Sequence, residues 1–505
     1  MGLGHSPRIV TENLVLLLDA GNPRNFNLTA VEVLVVAGGG SGGYGESNIN
    51  GGGGGGGGAG GLIYNSNFAV TPGTQLAANV GAGGAGLANS ASAGNNGANS
   101  VFGSLIAIGG GAGGGGDFEG SNAGGSGGSG GGAGGDGTYG PSIFSAGTSG
   151  QGFAGGARNG TTNRAAAGGG GAGGAGSSAT PGANSTGTGG TGGTGLGFNI
   201  SGTFIYYAGG GGGGASNNFS SGVVNSIGGI GGGGAGGGSS GSSNGTANTG
   251  GGGGGGYGSD AGAGGSGIII VRYPGPQKAI GGVVTSVGGD TIHTFTTSGN
   301  FTPLVATNGS AVLGLSDLSG NRNFGTSAGG PTYSSANGGS LSFEGSDEYV
   351  TKGGVIVPNS SSPYTVSVWC YRNRNNVGSE ELLSQWTSAN SNNSFFFGFD
   401  NLNVRFTDNW NPVTVPGAGN TGVWMNLVGV YSVSNAFIYL NGSLSATRGS
   451  GFSYGGTGNF IIGRQGELSS EYFSGRISNT QIYNRALTAA EVSQNFNALR
   501  GRYGL

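Results

Sequence analysis

Val31-Glu-Val-Leu-Val-Val-Ala-Gly-Gly-Gly40 passes within ten residues from a β-branched, strand-forming run into glycine, and Gly265-Ser-Gly-Ile-Ile-Ile-Val-Arg-Tyr273 makes the reverse transition far downstream. Runs of Val, Ile and Leu of this kind suit a pleated, packed surface. A glycine region framed by two of them reads as a folded domain. Flexible glycine linkers are featureless coils, whereas here Leu62-Ile-Tyr64, Val101-Phe102 and Phe204-Ile-Tyr-Tyr207 recur between the glycine tracts.

Three physical states compete for residues 31–275. Collagen needs glycine at every third position and abundant proline. The uninterrupted runs Gly51–Gly58, Gly209–Gly214 and Gly251–Gly256, with 13 prolines in the whole chain, exclude it. Disorder goes with few apolar islands and high net charge; the region has many such islands, and its charges between 31 and 270 are limited to Glu32, Glu46, Asp117, Glu119, Asp136, Arg158, Arg164 and Asp260. Disorder is therefore the weaker alternative. The third state is a packed array of extended, polyproline-II-like glycine helices, which have no internal hydrogen bonds and so must bond to one another. Only glycine lets backbones approach from every side. Ordering it costs about 1–2 kcal/mol per residue, so the array has to be cooperative. Within the block, Leu62–Val70 and Gln75–Val80 flank Thr71-Pro-Gly-Thr74, which reads as a β-hairpin on a type II turn. Ser100–Ile108 reads as a second hairpin.

The 505 residues include 132 glycines, 7% charged residues and a net charge of −3. Such a chain has no basic field for nucleic acid or an anionic membrane. One cysteine, Cys370, excludes an intrachain disulfide and, within Val366-Ser-Val-Trp-Cys-Tyr371, reads as a buried thiol. The opening Met1–Arg8 lacks a charged region followed by an apolar one, and no window offers about 18 consecutive apolar residues. The expectation is assembly in a cytosol without membrane insertion.

From about Ser310 the composition becomes ordinary and strongly β. Strand-like runs at 340–343, 364–371, 394–399, 402–406, 424–431, 436–440 and 460–463 alternate with turn residues, the pattern of a sandwich or jelly roll. Asn441-Gly442 suits a type I′ hairpin turn. Thr488 and Glu491 form a capping box ahead of a helix that would turn Val492, Phe496 and Leu499 inward.

These stretches resemble two known families. Val31–Gly40, Val70–Thr74 and Gly265–Tyr273 are similar to the frame of glycine-rich domains in bacteriophage tail-fibre and virion proteins. Phe343–Val350, Tyr364–Trp369, Trp424–Val428, Ile438–Gly442, Ile461–Arg464, Phe473–Ile477 and Ile482–Leu487 resemble, in that order, concanavalin A-like, laminin-G-like jelly rolls. The acidic residue usual after the Gly-Arg-Ile step is replaced by Ser478-Asn479. The opening Gly4–Val10 and the ending Asn495–Leu505 also look like structural proteins of marine cyanobacterial phages. Leu14–Pro23 resembles the first jelly-roll strand, whose usual sequel is found only at Asp317-Leu-Ser-Gly-Asn321, so the glycine block looks inserted. The resemblance implies an all-β fold: a concanavalin A-like jelly-roll sandwich carrying an inserted polyglycine-II-like domain with β-hairpins. Its parts are an N-terminal arm and first strand (1–30), the insert (31–275), a β connector (276–309), and a laminin-G-like jelly roll with a C-terminal helix (310–505).

Catalytic constellations are weak. Sandwich glycosidases set two carboxylates about 5–9 Å apart, and Glu344-Gly-Ser-Asp347-Glu348 has the wrong spacing for one strand face. His5 and His293 cannot make a His-based triad or zinc site, and His293 reads as a half-buried strand residue. Oxygen-rich loops at Asp317 and Asp347 could take Ca²⁺, although capping is the simpler role and no cofactor is expected. Trp386, Trp410, Tyr454 and Tyr472 could offer flat faces to sugars. Trp410, flanked by Asp408, Asn409 and Asn411 in a predicted loop, is the favoured ligand contact. The expected function is that of a phage virion surface protein, tail, neck or capsid, contacting a neutral host surface glycan or receptor, without enzymatic activity. Other virion proteins are its expected partners, with a homo-oligomer, a trimer among the options. The competing readings are a purely structural decoration protein and, less favoured, a glycan hydrolase.

Overall fold

The computed structural model describes residues 8–22, 27–46, 51–88, 92–116, 123–135, 145–158, 164–181, 187–215, 226–238, 241–305, 309, 312, 314–375, 377–387, 394–408, 411–466 and 470–505. The described chain is all-β apart from short 3-10 turns and one α-helix, Ala489–Leu499. It forms two compact units, one of Met1–Leu28, Pro274–Ala279 and Pro303–Leu505, the other of Thr29–Tyr273 and Ile280–Thr302.

In the glycine-rich unit the tract around Gly51–Gly58 is a hub bonded to six others. The amides of Gly54, Gly57 and Gly60 donate to the carbonyls of Gly256, Gly253 and Gly250; those of Gly55, Gly58 and Gly61 to Gly114, Gly111 and Ile108; those of Gly53, Gly56 and Ala59 to Arg164, Ala167 and Gly170. The carbonyls are used with the same period. Gly54 and Gly57 accept from Gly214 and Gly211, Gly55 and Gly58 from Gly43 and Gly40, and Gly53 and Gly56 from Gly135 and Gly132. A repeat of three residues, with bonds leaving in three directions, is the signature of a polyproline-II-type helix packed among its own kind. The expected lattice is thus present. At the Gly211 position a Cβ would fall inside contact distance of the Gly253 carbonyl oxygen, so glycine there is a condition of packing.

The framing strands close this unit. Ala30–Val36 lies between Leu62–Ala69 and Ile268–Pro274, all antiparallel, with Ile268 opposite Val36 and Arg272 opposite Glu32. Asp290–Phe295 and Val283–Val287 extend the same sheet. The 276–309 stretch is therefore not one connector: residues 280–302 belong with the glycine-rich unit, because their alternating apolar residues find a sheet edge to complete. The Pro-Gly turn forms, with Thr74 N–H bonded to Thr71 O at 3.0 Å and Gly73 at φ 77°, but it does not make a hairpin. Leu62–Ala69 stays in the first sheet, while Leu76–Asn79 pairs with Ser100–Phe102 and Gly299–Pro303 in another. Ser100–Phe102 and Leu105–Ala107 do form the expected hairpin. His293 is fully buried rather than half-buried. Its Nδ1 donates to Gly281 O at 2.7 Å, which leaves Nε2 to accept from the Tyr273 hydroxyl at 2.9 Å.

The other unit is a two-sheet jelly roll. One sheet runs Thr332–Ser334, Ser340–Glu344, Ser474–Tyr483, Tyr364–Arg372, Trp424–Tyr431, Ala436–Leu440, Ser443–Arg448. Leu14–Asp19 pairs with residues 479–483 of its Ser474–Tyr483 strand. The facing sheet runs Gly314–Leu315, Gly325–Ala328, Tyr349–Lys352, Asn459–Ile462, Ser379–Trp386, Phe395–Asp400, Asn403–Asp408, Asn411–Val415. Alternate residues, among them Val366, Val368, Cys370, Leu383, Phe397, Phe406 and Ile462, interdigitate between the sheets. Cys370 lies in this core, and burial pushes its thiol far above the usual range, so it is unreactive. The helix starts at Thr488 with the capping box in place. Val492 is buried beneath it, as is Asn495, which bonds Val10 N–H and Tyr483 Oη.

Valine at position 211 is expected to unfold the glycine-rich unit and spare the jelly roll. All four tryptophans fall within 303–505 of the sequence, so tryptophan fluorescence excited at the red edge should stay native while proteolysis opens the 31–273 region; native-like protease resistance there would contradict the lattice.

Candidate functional site

Of the favoured ligand contacts, Asp408 and Asn411 are described. Asp408 and Asn411 are the last paired residues of the ladder between Asn403–Asp408 and Asn411–Val415, whereas Asn409 and Trp410 lie outside the described residues. Asp408 and Asn411 are thus strand ends rather than part of a longer loop. Of the other flat side chains proposed for sugars, Trp386 is 6% exposed and Tyr454 1%; both pack internally, as large aromatics in a sandwich do. Tyr472 stays half-buried.

The Asp317 loop does not suit a cation. The Asp317 carboxylate accepts from the amides of Leu17 (3.0 Å), Ser319 (2.9 Å) and Asn323 (2.9 Å) and from Ser319 Oγ (2.8 Å). N–H donors aimed at both oxygens leave none for a metal, which takes oxygen ligands only. The same loop holds the first strand, since Asn321 Nδ2 and Asn323 Nδ2 donate to the carbonyls of Leu14 and Val15. Asp347 is exposed, and no cluster of three His, Cys, Asp or Glu able to hold a metal exists among the described residues. Glu344 is exposed at a strand end and Glu348 is buried, its Oε2 3.4 Å from the amides of Ser346 and Asp347. That turn is a structural feature.

A denser polar cluster lies around Ser379–Trp386, where alternation predicts one buried acid and the structure has two. Glu380 receives Arg372 Nε at 2.7 Å, Arg374 Nε at 2.8 Å and Ser474 N–H at 3.1 Å. Arg374 Nη2 also donates to Tyr472 O at 2.7 Å. A register shift follows Glu381, whose N–H bonds Glu471 O at 3.0 Å. Arg405 Nη2 bridges the Glu381 carboxylate and that of Glu471, the latter at 3.3 Å. Arg464 lies over the Tyr349 ring, its guanidinium 4.0 Å from the centroid and 6.0 Å from that of Tyr472. The two adjacent acids therefore anchor the 470–473 segment, and the accessible product is a strip of half-buried Tyr349, Glu471 and Tyr472 over the buried Arg464. Glu471 is 23% exposed. The sequence signal available was scarcity: 20 acids in 505 residues make a Glu-Glu pair inside a strand conspicuous.

Residues 23–274 match the family described as a glycine-rich domain, and residues 344–493 the concanavalin A-like lectin/glucanases superfamily. No curated protein matches the chain. Similar solved structures include domain 4 of a GH43 extracellular arabinanase from Geobacillus stearothermophilus in complex with arabinotriose, 19% identical, covering 37% of this chain and 99% of that one, with a TM-score of 0.31. The binding domain of Paraclostridial Mosquitocidal Protein 1 is 18% identical, covering 38% and 52%, at 0.30. Botulinum neurotoxin type C, whose cell entry depends on interaction with two ganglioside molecules, is 15% identical, covering 38% and 51%, at 0.30. The chain thus joins a glycine-rich domain to a jelly roll of the concanavalin A-like lectin and glucanase type.

Burial raises the Glu381 carboxyl to about 8, against the lowering effect of Arg405 and with further raising from Glu471. The folded state then holds a proton that the unfolded chain, with its ordinary value of 4.5, releases. Stability from this group is full below about 4.5 and is lost as pH rises through about 8. Thermal unfolding of the jelly roll should move to lower temperature over that window, and Glu381→Gln should flatten the dependence; equal slopes for both proteins would contradict the assignment.

Proposed function

We propose that the chain is a non-catalytic glycan-binding protein displayed on a bacteriophage virion, the jelly roll making the contact and the glycine-rich unit serving as a rigid structural element. The observation that carries the glycan reading is the strip of Tyr349, Tyr472 and Glu471 over the buried Arg464. Two half-buried aromatic rings and an arginine-held carboxylate acceptor are fixed on a strand-anchored segment. Rings of this kind cover the apolar face of a sugar, and neighbouring charged groups bond its hydroxyls. The lectin-type family match over 344–493 supports the same reading.

Catalysis is left out of the proposal on geometric grounds. Glu381, the carboxyl with a raised proton affinity, is fully buried and shared with Arg405, so a glycosidic oxygen cannot reach it. The virion assignment rests on the phage-like stretches Val31–Gly40 and Gly265–Tyr273 and on the near-absence of charge. Display of many copies, as a homo-oligomer among other virion proteins, would raise weak single-site binding by about 10²–10⁴.

The test is adsorption of the purified full chain to host cells and to their isolated surface polysaccharide. Tyr472→Ala should weaken binding by about threefold to tenfold without altering the circular dichroism spectrum, and no new reducing ends should appear on prolonged incubation. Absence of adsorption, with normal host attachment by particles lacking the protein, would favour a decoration role without a ligand.

A further inference from the structure

We propose a second ligand site, for a carboxylate-bearing sugar, on the outer face of the other jelly-roll sheet, centred on Arg476. It deepens the glycan-binding reading and rests on it. Thr332, Ser342, Arg476, Tyr371 and Trp424 are successive cross-strand partners on five adjacent strands. Their neighbours Leu341, Ile477, Cys370 and Met425 point into the core, so the five form one transverse row on the opposite side, where Thr332, Ser342, Arg476 and Tyr371 are half-exposed and Trp424, buried against Tyr503, closes the end of the row. Neighbouring strands lie about 4.8 Å apart, and the row is therefore roughly 19 Å long.

The state of Arg476 distinguishes this row from an ordinary strand surface. Its guanidinium lies 4.0 Å from the centroid of Tyr371 and 5.4 Å from that of Trp424, while Tyr371 and Trp424 meet edge to face at 5.8 Å. Stacking holds the fork in place, yet the Arg476 guanidinium makes no hydrogen bond or ion pair with any described residue. By contrast, Arg372, Arg374, Arg405, Arg485 and Arg502 all engage carboxylates. The Trp424 indole N–H is buried without an acceptor. A planar, pre-oriented set of donors with one face against aromatic rings matches a carboxylate bidentately. The hydroxyls of Ser342 and Thr332, both half-exposed, continue the row with groups that bond sugar hydroxyls. Glu344, exposed two residues along from Ser342, forms no ion pair with Arg476.

The experiment is calorimetric titration of the full chain with trigalacturonate and with its fully methyl-esterified form, which keeps the ring hydroxyls and removes the charge. The acid should bind about tenfold or more tightly than the ester. Arg476→Ala should abolish that preference, and Arg476→Lys, which keeps the charge but not the flat fork, should lose most of it. Equal affinity for acid and ester, or an acid preference that survives Arg476→Ala, overturns this site and leaves the glycan reading standing. Failure of both ligands and of the host polysaccharide to bind overturns the two together.

Discussion

Every peptide group at the centre of the Gly51–Gly58 tract has its partner on another tract, and none on its own. A helix without internal hydrogen bonds can be buried only if neighbours supply all of them. Six neighbours with a three-residue period do so here. The sequence consequences follow from this one requirement. Side chains would hold the backbones apart, as the closeness of the Gly253 carbonyl to any Cβ at Gly211 shows, and charges could not be solvated inside. The large apolar side chains collect where the lattice ends, while small ones such as Ala59, Ala133 and Ala167 are buried within it. Leu34, Val36, Leu62, Ile268, Ile270 and Ile292 form an apolar cluster on the closing sheet.

The jelly roll uses the opposite material, side-chain packing between two sheets, and places its charges sparingly. Glu380 and Glu381 show the division of labour. Each is fully buried, each is met by arginine, and together they fix the segment that presents Glu471 and Tyr472. Burying such groups is unfavourable unless their hydrogen bonds are made, and Glu380 makes three. The apolar surroundings of Glu381 instead favour its protonated form.

Much of the architecture could be read from local chemistry. The strand runs from 340 to 463, the Asn441-Gly442 turn, with φ of 47° and 78°, and the Thr488 capping box depend on neighbours in sequence. So did the polyglycine state, since glycine in uninterrupted runs has few folded options. What sequence could not decide was which strands pair. Thr71–Thr74 forms its turn as its residues dictate, yet the two strands it joins enter different sheets, because pairing is settled by distant partners at 30–36 and 299–303. The fate of residues 280–302 and the full burial of His293 failed to show for the same reason. At the candidate sites the acidic loops were legible as turns. The strip beside Tyr472 was not, because Tyr349 and Arg405 are distant in sequence from Arg464, Glu471 and Tyr472 and meet them only through the pairing of separate strands. Trp410 is not among the described residues and leaves that part of the reading where the sequence put it.

The central claim is that a glycine tract with almost no side chains is held as firmly as a strand in a sheet. Hydrogen–deuterium exchange of the intact chain, resolved over 51–61, tests it without substitution. The amides of Gly53–Gly58 are expected to exchange as slowly as those of Val33–Val36 in the framing strand, in one cooperative step. Exchange at the rate of an unstructured glycine peptide, with Val33–Val36 still protected, would contradict it.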